Sequence, residues 1–85
     1  MANEIIKDDT SLSFSWTAVT GATKYHCRIS SYYDFDVIAH ENNNLGSAAY
    51  APTLTAGKGK YYWQWRSYIG GAWQKWNEIQ SFKYV

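Results

Sequence analysis

Alternation of apolar and polar side chains is the feature of this sequence that most limits how it can fold. Residues 12–16, 24–30, 61–68 and 81–85 place an apolar or aromatic side chain at every second position, with Ser67 as the one exception. Successive side chains of an extended strand point to opposite faces, so each segment predicts a half-buried β-strand. No segment combines a helical period with helix caps. With shorter strands predicted near residues 37–41 and 47–50, the chain is expected to be an all-β sandwich or barrel.

Turn-forming residues separate the predicted strands. Glycine-containing turns are expected at residues 20–23 and 56–60. Gly70-Gly71 ends the strand of residues 61–68, and a loop with Trp73 and Trp76 is expected to follow it. The Asn-Asn-Asn-Leu-Gly segment of residues 42–46 predicts a loop, because Asn and Gly tolerate positive φ. Pro52 ends the strand before it or confines that strand to a sheet edge.

Length and composition bound the class of protein. The chain has 85 residues, enough for one domain. Its five Trp, eight Tyr and three Phe outnumber its Ile, Leu and Val, so that a few large side chains can fill a small core. A net charge of +1 disfavours nucleic acid and anionic lipid as partners. The lone Cys27 cannot form an internal disulfide, and residues 1–9 lack the basic and apolar regions of a signal peptide.

The spacing of the aromatic and glycine residues carries a family resemblance. It lies in Leu12-x-Phe14-x-Trp16, in Gly21-Ala22-x-x-Tyr25-x-Cys27-x-Ile29, in Leu54-x-x-Gly57, in Tyr61-Tyr62-Trp63-x-Trp65-Arg66, and in Trp76 and Ser81-Phe82. This pattern, over roughly residues 5–85, resembles a fibronectin type III domain of the bacterial or phage kind. The resemblance implies a seven-stranded antiparallel immunoglobulin-like sandwich, in which strands A, B and E face strands C, C′, F and G.

The same resemblance implies roles for individual residues. Ile5 and Ile6 would belong to strand A, and either Tyr61 or Tyr62 would open strand F, with its hydroxyl bonded back to the preceding turn. Phe35 would plug the bottom of the core. The expected core comprises Phe14, Trp16, Tyr25, Cys27, Ile29, Leu54, Tyr61, Trp63, Trp65 and Phe82.

The outer face of the predicted C, F and G strands is the candidate binding surface. The Trp73-Gln74-Lys75-Trp76-Asn77 segment resembles the Trp-Ser-x-Trp-Ser box of cytokine-receptor modules, in which strand-F arginines stack with tryptophans. Arg66 is therefore expected to pack against Trp73 or Trp76, with His26 exposed on the same face. Aromatic and basic side chains together can bind protein or sugar. The candidate binding residues are Tyr62, Arg66, Tyr68, Trp73 and Trp76.

Three other kinds of chemistry are disfavoured by spacing. Cys27 and His26 are neighbours on one strand and point to opposite faces, so a Cys/His catalytic pair is not expected. Asp34, Asp36 and the acidic and amide residues 41–44 could offer oxygen ligands to calcium, but they lack EF-hand spacing and favour Asx turns. The Gly57-x-Gly59-Lys60 segment lacks the spacing and the following helix of a phosphate-binding loop.

The sequence therefore predicts a non-catalytic module without metal or cofactor. The resemblance implies a spacer or protein-interaction domain of a larger secreted, cell-surface or virion protein, with the other domains of that protein as partners. The isolated chain is expected to be a monomer with no membrane insertion. The alternative function is a carbohydrate-binding module, which would need two or three exposed, coplanar aromatic rings.

Overall fold

Residues 5–8, 10–54 and 57–85 are described by the computed structural model of this chain, and they contain strands and no helix. The all-β prediction is thereby confirmed. In chain order the strands are β1 (Ile6–Lys7), β2 (Phe14–Ser15), β3 (Lys24–Ser30), β4 (Ile38–Leu45), β5 (Ala49–Tyr50), β6 (Gly59–Ile69), β7 (Ala72–Trp73) and β8 (Gln80–Tyr84).

Two sheets of unequal size make a sandwich-like arrangement. The large sheet has the order β1-β8-β6-β3-β4, with β7 pairing with β6, and the small sheet consists of β2 and β5. All pairs are antiparallel except β1 with β8, which run parallel with Ile6 opposite Lys83. Alternation along β3, β6 and β8 explains the layering, because every second side chain of these strands faces the small sheet.

The core lies between the two sheets and is dominated by rings. Phe14, Cys27, Ile29, Leu54, Tyr61 and Phe82 are buried there, with Trp16, Trp63 and Trp65 half-buried around them. Trp16 stacks on Trp65, with centroids 5.1 Å apart and planes 12° apart. Tyr25 is buried beside these two indoles. Leu12, Tyr50 and Tyr84 complete the buried cluster.

Four local expectations are wrong. The asparagines of residues 42–44 lie within β4 rather than in a loop, because β4 pairs with β3 across register shifts that accommodate them. Trp73 lies on a strand, β7, instead of in a loop. The first strand pairs with β8 and not with β2, so it joins the large sheet. Phe35 is buried against Arg28 and lies outside the inter-sheet core cluster.

Tyr61, rather than Tyr62, makes the expected hydrogen bond to the preceding turn, an arrangement known as a tyrosine corner. Its hydroxyl donates a hydrogen bond to the carbonyl oxygen of Gly57, four residues upstream. Tyr62, its neighbour on the strand, faces the opposite side of the sheet.

Candidate functional site

A tight hairpin folds the chain back alongside β6 in the large sheet. Gly70 and Gly71 have φ angles of 61° and 83°. A two-residue hairpin turn with positive φ at both positions favours glycine, which has no side chain to clash. The turn lets β7 pair with β6 so that Trp73 lies opposite Tyr68. Their ring centroids are 4.9 Å apart at an interplanar angle of 68°.

Backbone hydrogen bonds hold the next residues alongside β6. The Gln74 amide donates to the Ser67 carbonyl at 2.9 Å, and the Asn77 amide donates to the Trp65 carbonyl at 2.9 Å. The Asn77 side-chain amide donates to that same Trp65 carbonyl at 3.0 Å. Trp76, between these anchors, thereby comes to lie over the same face as Trp73, where both indoles contact Arg66.

Two arginines lie against the tryptophan rings. The guanidinium carbon of Arg66 is 4.7 Å from the centroid of Trp73 and 4.5 Å from that of Trp76. The guanidinium carbon of Arg28 is 4.1 Å from Trp76 and 4.6 Å from Phe35. The expected packing of Arg66 against a tryptophan is confirmed, and the arginine contacts both indoles.

Lys24 extends the series at its other end. Its ammonium nitrogen is 4.6 Å from the Tyr68 centroid and 5.5 Å from that of Trp73. Rings and cations thus alternate across the face, and each tryptophan contacts two cations. We call this set the cation–aromatic ladder; in order it comprises Tyr68, Lys24, Trp73, Arg66, Trp76, Arg28 and Phe35.

His26 lies beneath the ladder and joins it to β4. The two tryptophan rings of the ladder are 5.7 Å (Trp73) and 4.8 Å (Trp76) from its imidazole. It is only 7% exposed, so the expectation of an exposed His26 is wrong. The Arg66 Nε–H donates to Nδ1 at 3.2 Å, which leaves the ring proton on Nε2, 2.8 Å from the Glu41 carboxylate. Burial lowers the pKa of His26, although the hydrogen bond with Glu41 opposes that shift.

Gln64 fixes the second arginine. The Nε and Nη2 groups of Arg28 both donate to the Gln64 side-chain oxygen, at 2.8 and 2.5 Å. Gln64 is itself buried, and its amide nitrogen donates to the Asn77 carbonyl at 3.5 Å. The polar groups beneath the ladder therefore bond to one another, which favours a rigid face.

The structure brings together four of the five candidate binding residues. Arg66, Tyr68, Trp73 and Trp76 belong to the ladder. Tyr62 stands apart and meets Tyr33 edge-on, with centroids 5.5 Å apart. Phe35 was the ladder member that sequence reasoning placed elsewhere. Its backbone has a φ of 57° at the end of a turn in which the Phe35 amide donates to the Tyr32 carbonyl at 3.0 Å, and no sequence pattern predicts that conformation.

The remaining candidate groups are distributed over other parts of the molecule. Cys27 is fully buried as a free thiol, and burial raises its pKa to about 12. It lies in the core while His26 faces the ladder. Asp34 accepts a hydrogen bond from the Asp36 amide at 3.0 Å, as in an Asx turn. Within residues 5–8, 10–54 and 57–85, no three His, Cys, Asp or Glu side chains are grouped to hold a metal ion. The same residues include no helix long and apolar enough to cross a membrane.

Comparisons with protein-family models, curated proteins and solved structures return no match. The geometry of the chain is therefore the basis for its proposed function.

Proposed function

We propose that this chain is a non-catalytic sandwich module of the fibronectin type III kind, which serves as a force-bearing spacer and interaction domain in a larger secreted, surface or virion protein. Two features support the family. One is the tyrosine corner at Tyr61, and the other is the stacking of Arg66 between Trp73 and Trp76. The pairing of β1 with β8 differs from the arrangement implied by the resemblance.

The observation that carries the spacer role is the parallel pairing of β1 with β8. Because neighbouring strands near the two ends of the chain run in the same direction, chain preceding Ile5 and chain following Val85 would leave in opposite directions. Two backbone hydrogen bonds from β8 and the residue after it to β1 and the residue before it join the pair. The Lys83 amide donates to the Ile5 carbonyl at 2.8 Å, and the Val85 amide donates to the Lys7 carbonyl at 2.9 Å.

Tension applied through the two ends would shear this pair. The hydrogen bonds of a parallel pair are evenly spaced and run across from one strand to the other at a slant, so a pull along the strands loads all of them at once. An antiparallel hairpin pulled from its open end instead separates one bond at a time. The parallel pair is therefore suited to carry tension between neighbouring domains.

The ladder favours this role over carbohydrate binding. A sugar platform of the expected kind needs exposed, coplanar rings, whereas Tyr68 and Trp73 meet at 68°. Each tryptophan of the ladder also contacts two cations. The rings thus contribute to the rigidity of the face. A cation–π contact is worth ~0.5–2 kcal/mol according to its exposure.

Single-molecule pulling through the two ends of the chain tests the spacer role. Val85→Pro removes the amide that bonds to Lys7, and Val85→Ala keeps that amide while shortening the same side chain. We expect Val85→Pro to unfold at a clearly lower force and Val85→Ala to unfold close to the unmodified chain. Equal unfolding forces for the two variants would contradict the spacer role. Fluorescence titration against a glycan panel tests the alternative, for which the ladder predicts no saturable change.

A further inference from the structure

A groove opens where the two sheets separate, between β1 and β8 on one side and β2 on the other. Its volume is about 230 Å³. That is below the ~300–1,000 Å³ of typical small-molecule pockets. Its aromatic wall is made by Trp63 and Phe14, whose ring centroids are 4.8 Å apart. Trp63 occupies a core position of β6 but is only half-buried, because no described strand covers it on this side.

The strand β2 has an unused edge along this groove. Among the described strands, only β5 pairs with β2. The Trp16 amide donates to the Ala48 carbonyl at 3.1 Å, so the backbone amide and carbonyl of Trp16 point toward β5. Those of Phe14, two residues earlier on the strand, point the same way. The backbone of Ser15, between them, therefore points to the other side. Ser13, Ser15 and Ser81 line the groove and give it a hydroxyl rim.

No described strand pairs with this edge, because β1 pairs elsewhere. In a three-stranded small sheet, a further strand would lie beside β2, but here β1 pairs with β8. Unpaired strand edges are templates for a strand from another chain. The groove at this edge supplies an apolar aromatic wall. Among the described residues that line it, Lys7 alone is charged, and its ammonium lies 5.2 Å from the Phe14 ring centroid.

We propose that this groove accepts an extended strand from a partner protein. That strand would pair with the free edge of β2 through its backbone, place an apolar side chain against Trp63 and Phe14, and set an acidic side chain beside Lys7. Strand addition of this kind draws affinity from main-chain hydrogen bonds and specificity from alternate side chains. The acidic requirement follows from charge complementarity with Lys7.

This inference rests on the proposed role as an interaction module, and its test is separate from the pulling experiment. The probe is a capped synthetic peptide of about six residues, the usual strand length, with alternating valine and glutamate. It is titrated into the isotope-labelled chain, with an alternating valine–lysine peptide as the comparison. We expect saturable amide shifts confined to residues 5–7, 13–15 and 80–81, with slowed hydrogen exchange at Ser15.

Two charge-reversal variants test the recognition. Lys7→Glu should weaken binding of the glutamate peptide about two- to five-fold and favour the lysine peptide by a similar factor, as expected for a partly exposed ion pair. Lys75→Glu makes the same change in charge on an exposed residue outside the groove, and should leave both affinities unchanged.

Four outcomes would overturn the inference: the absence of saturable shifts, shifts centred outside the groove, equal effects of the two variants, or groove shifts that follow protein concentration without peptide. The last outcome would identify a second copy of the chain as the occupant. If the peptide titration fails and the pulling experiment gives the expected result, the spacer role is retained and peptide binding at the groove is rejected. If the titration succeeds and the pulling experiment fails, peptide binding is retained and the spacer role is rejected.

Discussion

Removal of Arg66 is the sharpest single perturbation of the outer face. In Arg66→Ala, two cation–π contacts at 4.7 and 4.5 Å are lost, each worth ~0.5–2 kcal/mol. The Nδ1 atom of His26 also loses its donor, and an unsatisfied buried acceptor costs about 1–3 kcal/mol. Because Arg66 is half-buried, the lower values apply, and we expect a loss of about 2 kcal/mol in the free energy of unfolding.

Urea unfolding followed by far-UV circular dichroism measures this loss. With a slope of about 1–3 kcal/mol per molar urea, a loss of this size moves the midpoint by roughly 1 M. In thermal unfolding it lowers Tm by roughly 8–16 °C for a domain of this size. Arg66→Lys keeps the charge but not the planar guanidinium, and its unfolding midpoint should lie between those of the unmodified chain and Arg66→Ala. Lys75→Ala, an exposed change in the same region, should stay within about 0.5 kcal/mol. An unchanged midpoint for Arg66→Ala would refute the stabilising role of the ladder.

Three further predictions follow from buried groups. Burial lowers the pKa of His26 below its unfolded value of 6.5, so as pH falls through 6.5 the unfolded chain binds more protons than the folded chain and the free energy of unfolding should decline. In urea titrations across pH, His26→Gln should flatten this decline. An equally steep decline in the variant and the unmodified chain would contradict the role of His26. Tyr61→Phe removes the hydroxyl bonded to Gly57 and should lower the unfolding free energy by about 1 kcal/mol in denaturant melts, whereas no loss would argue against the corner. Cys27, fully buried with a pKa raised to about 12, should resist thiol reagents in the native state and react on unfolding; rapid native labelling would be inconsistent with its burial.

Much of the strand pattern could be predicted because side-chain alternation is a local property. The period of two along β3, β6 and β8 gave both the strands and the inward side of each. The layering follows, since the strand faces that carry these rings must pack against a second layer of strands to be buried. The contact of Arg66 with the tryptophans was also accessible, because the resemblance of residues 73–77 to the Trp-Ser-x-Trp-Ser box implied such a contact and the alternation along β6 places Arg66 on the outward face.

Long-range choices could not be predicted from local pattern. Asparagine has a low strand propensity, yet residues 42–44 extend β4 because pairing with β3 outweighs that propensity. The burial of His26 depends on a hairpin that lays two tryptophans over it, and Phe35 reaches the ladder through a turn with positive φ. The partner of β1 is decided by tertiary contacts, because two residues carry too little pattern to specify a neighbour.

The pairing of β1 with β8 is the observation on which both the spacer role and the open edge of β2 depend. Nuclear Overhauser contacts in the isolated chain test it directly. We predict cross-strand contacts between Ile6 and Lys83 and between Lys7 and Tyr84, with slow hydrogen exchange at the Lys83 and Val85 amides. Cross-strand contacts that instead join β1 to β2, with rapid exchange at those two amides, would contradict the account.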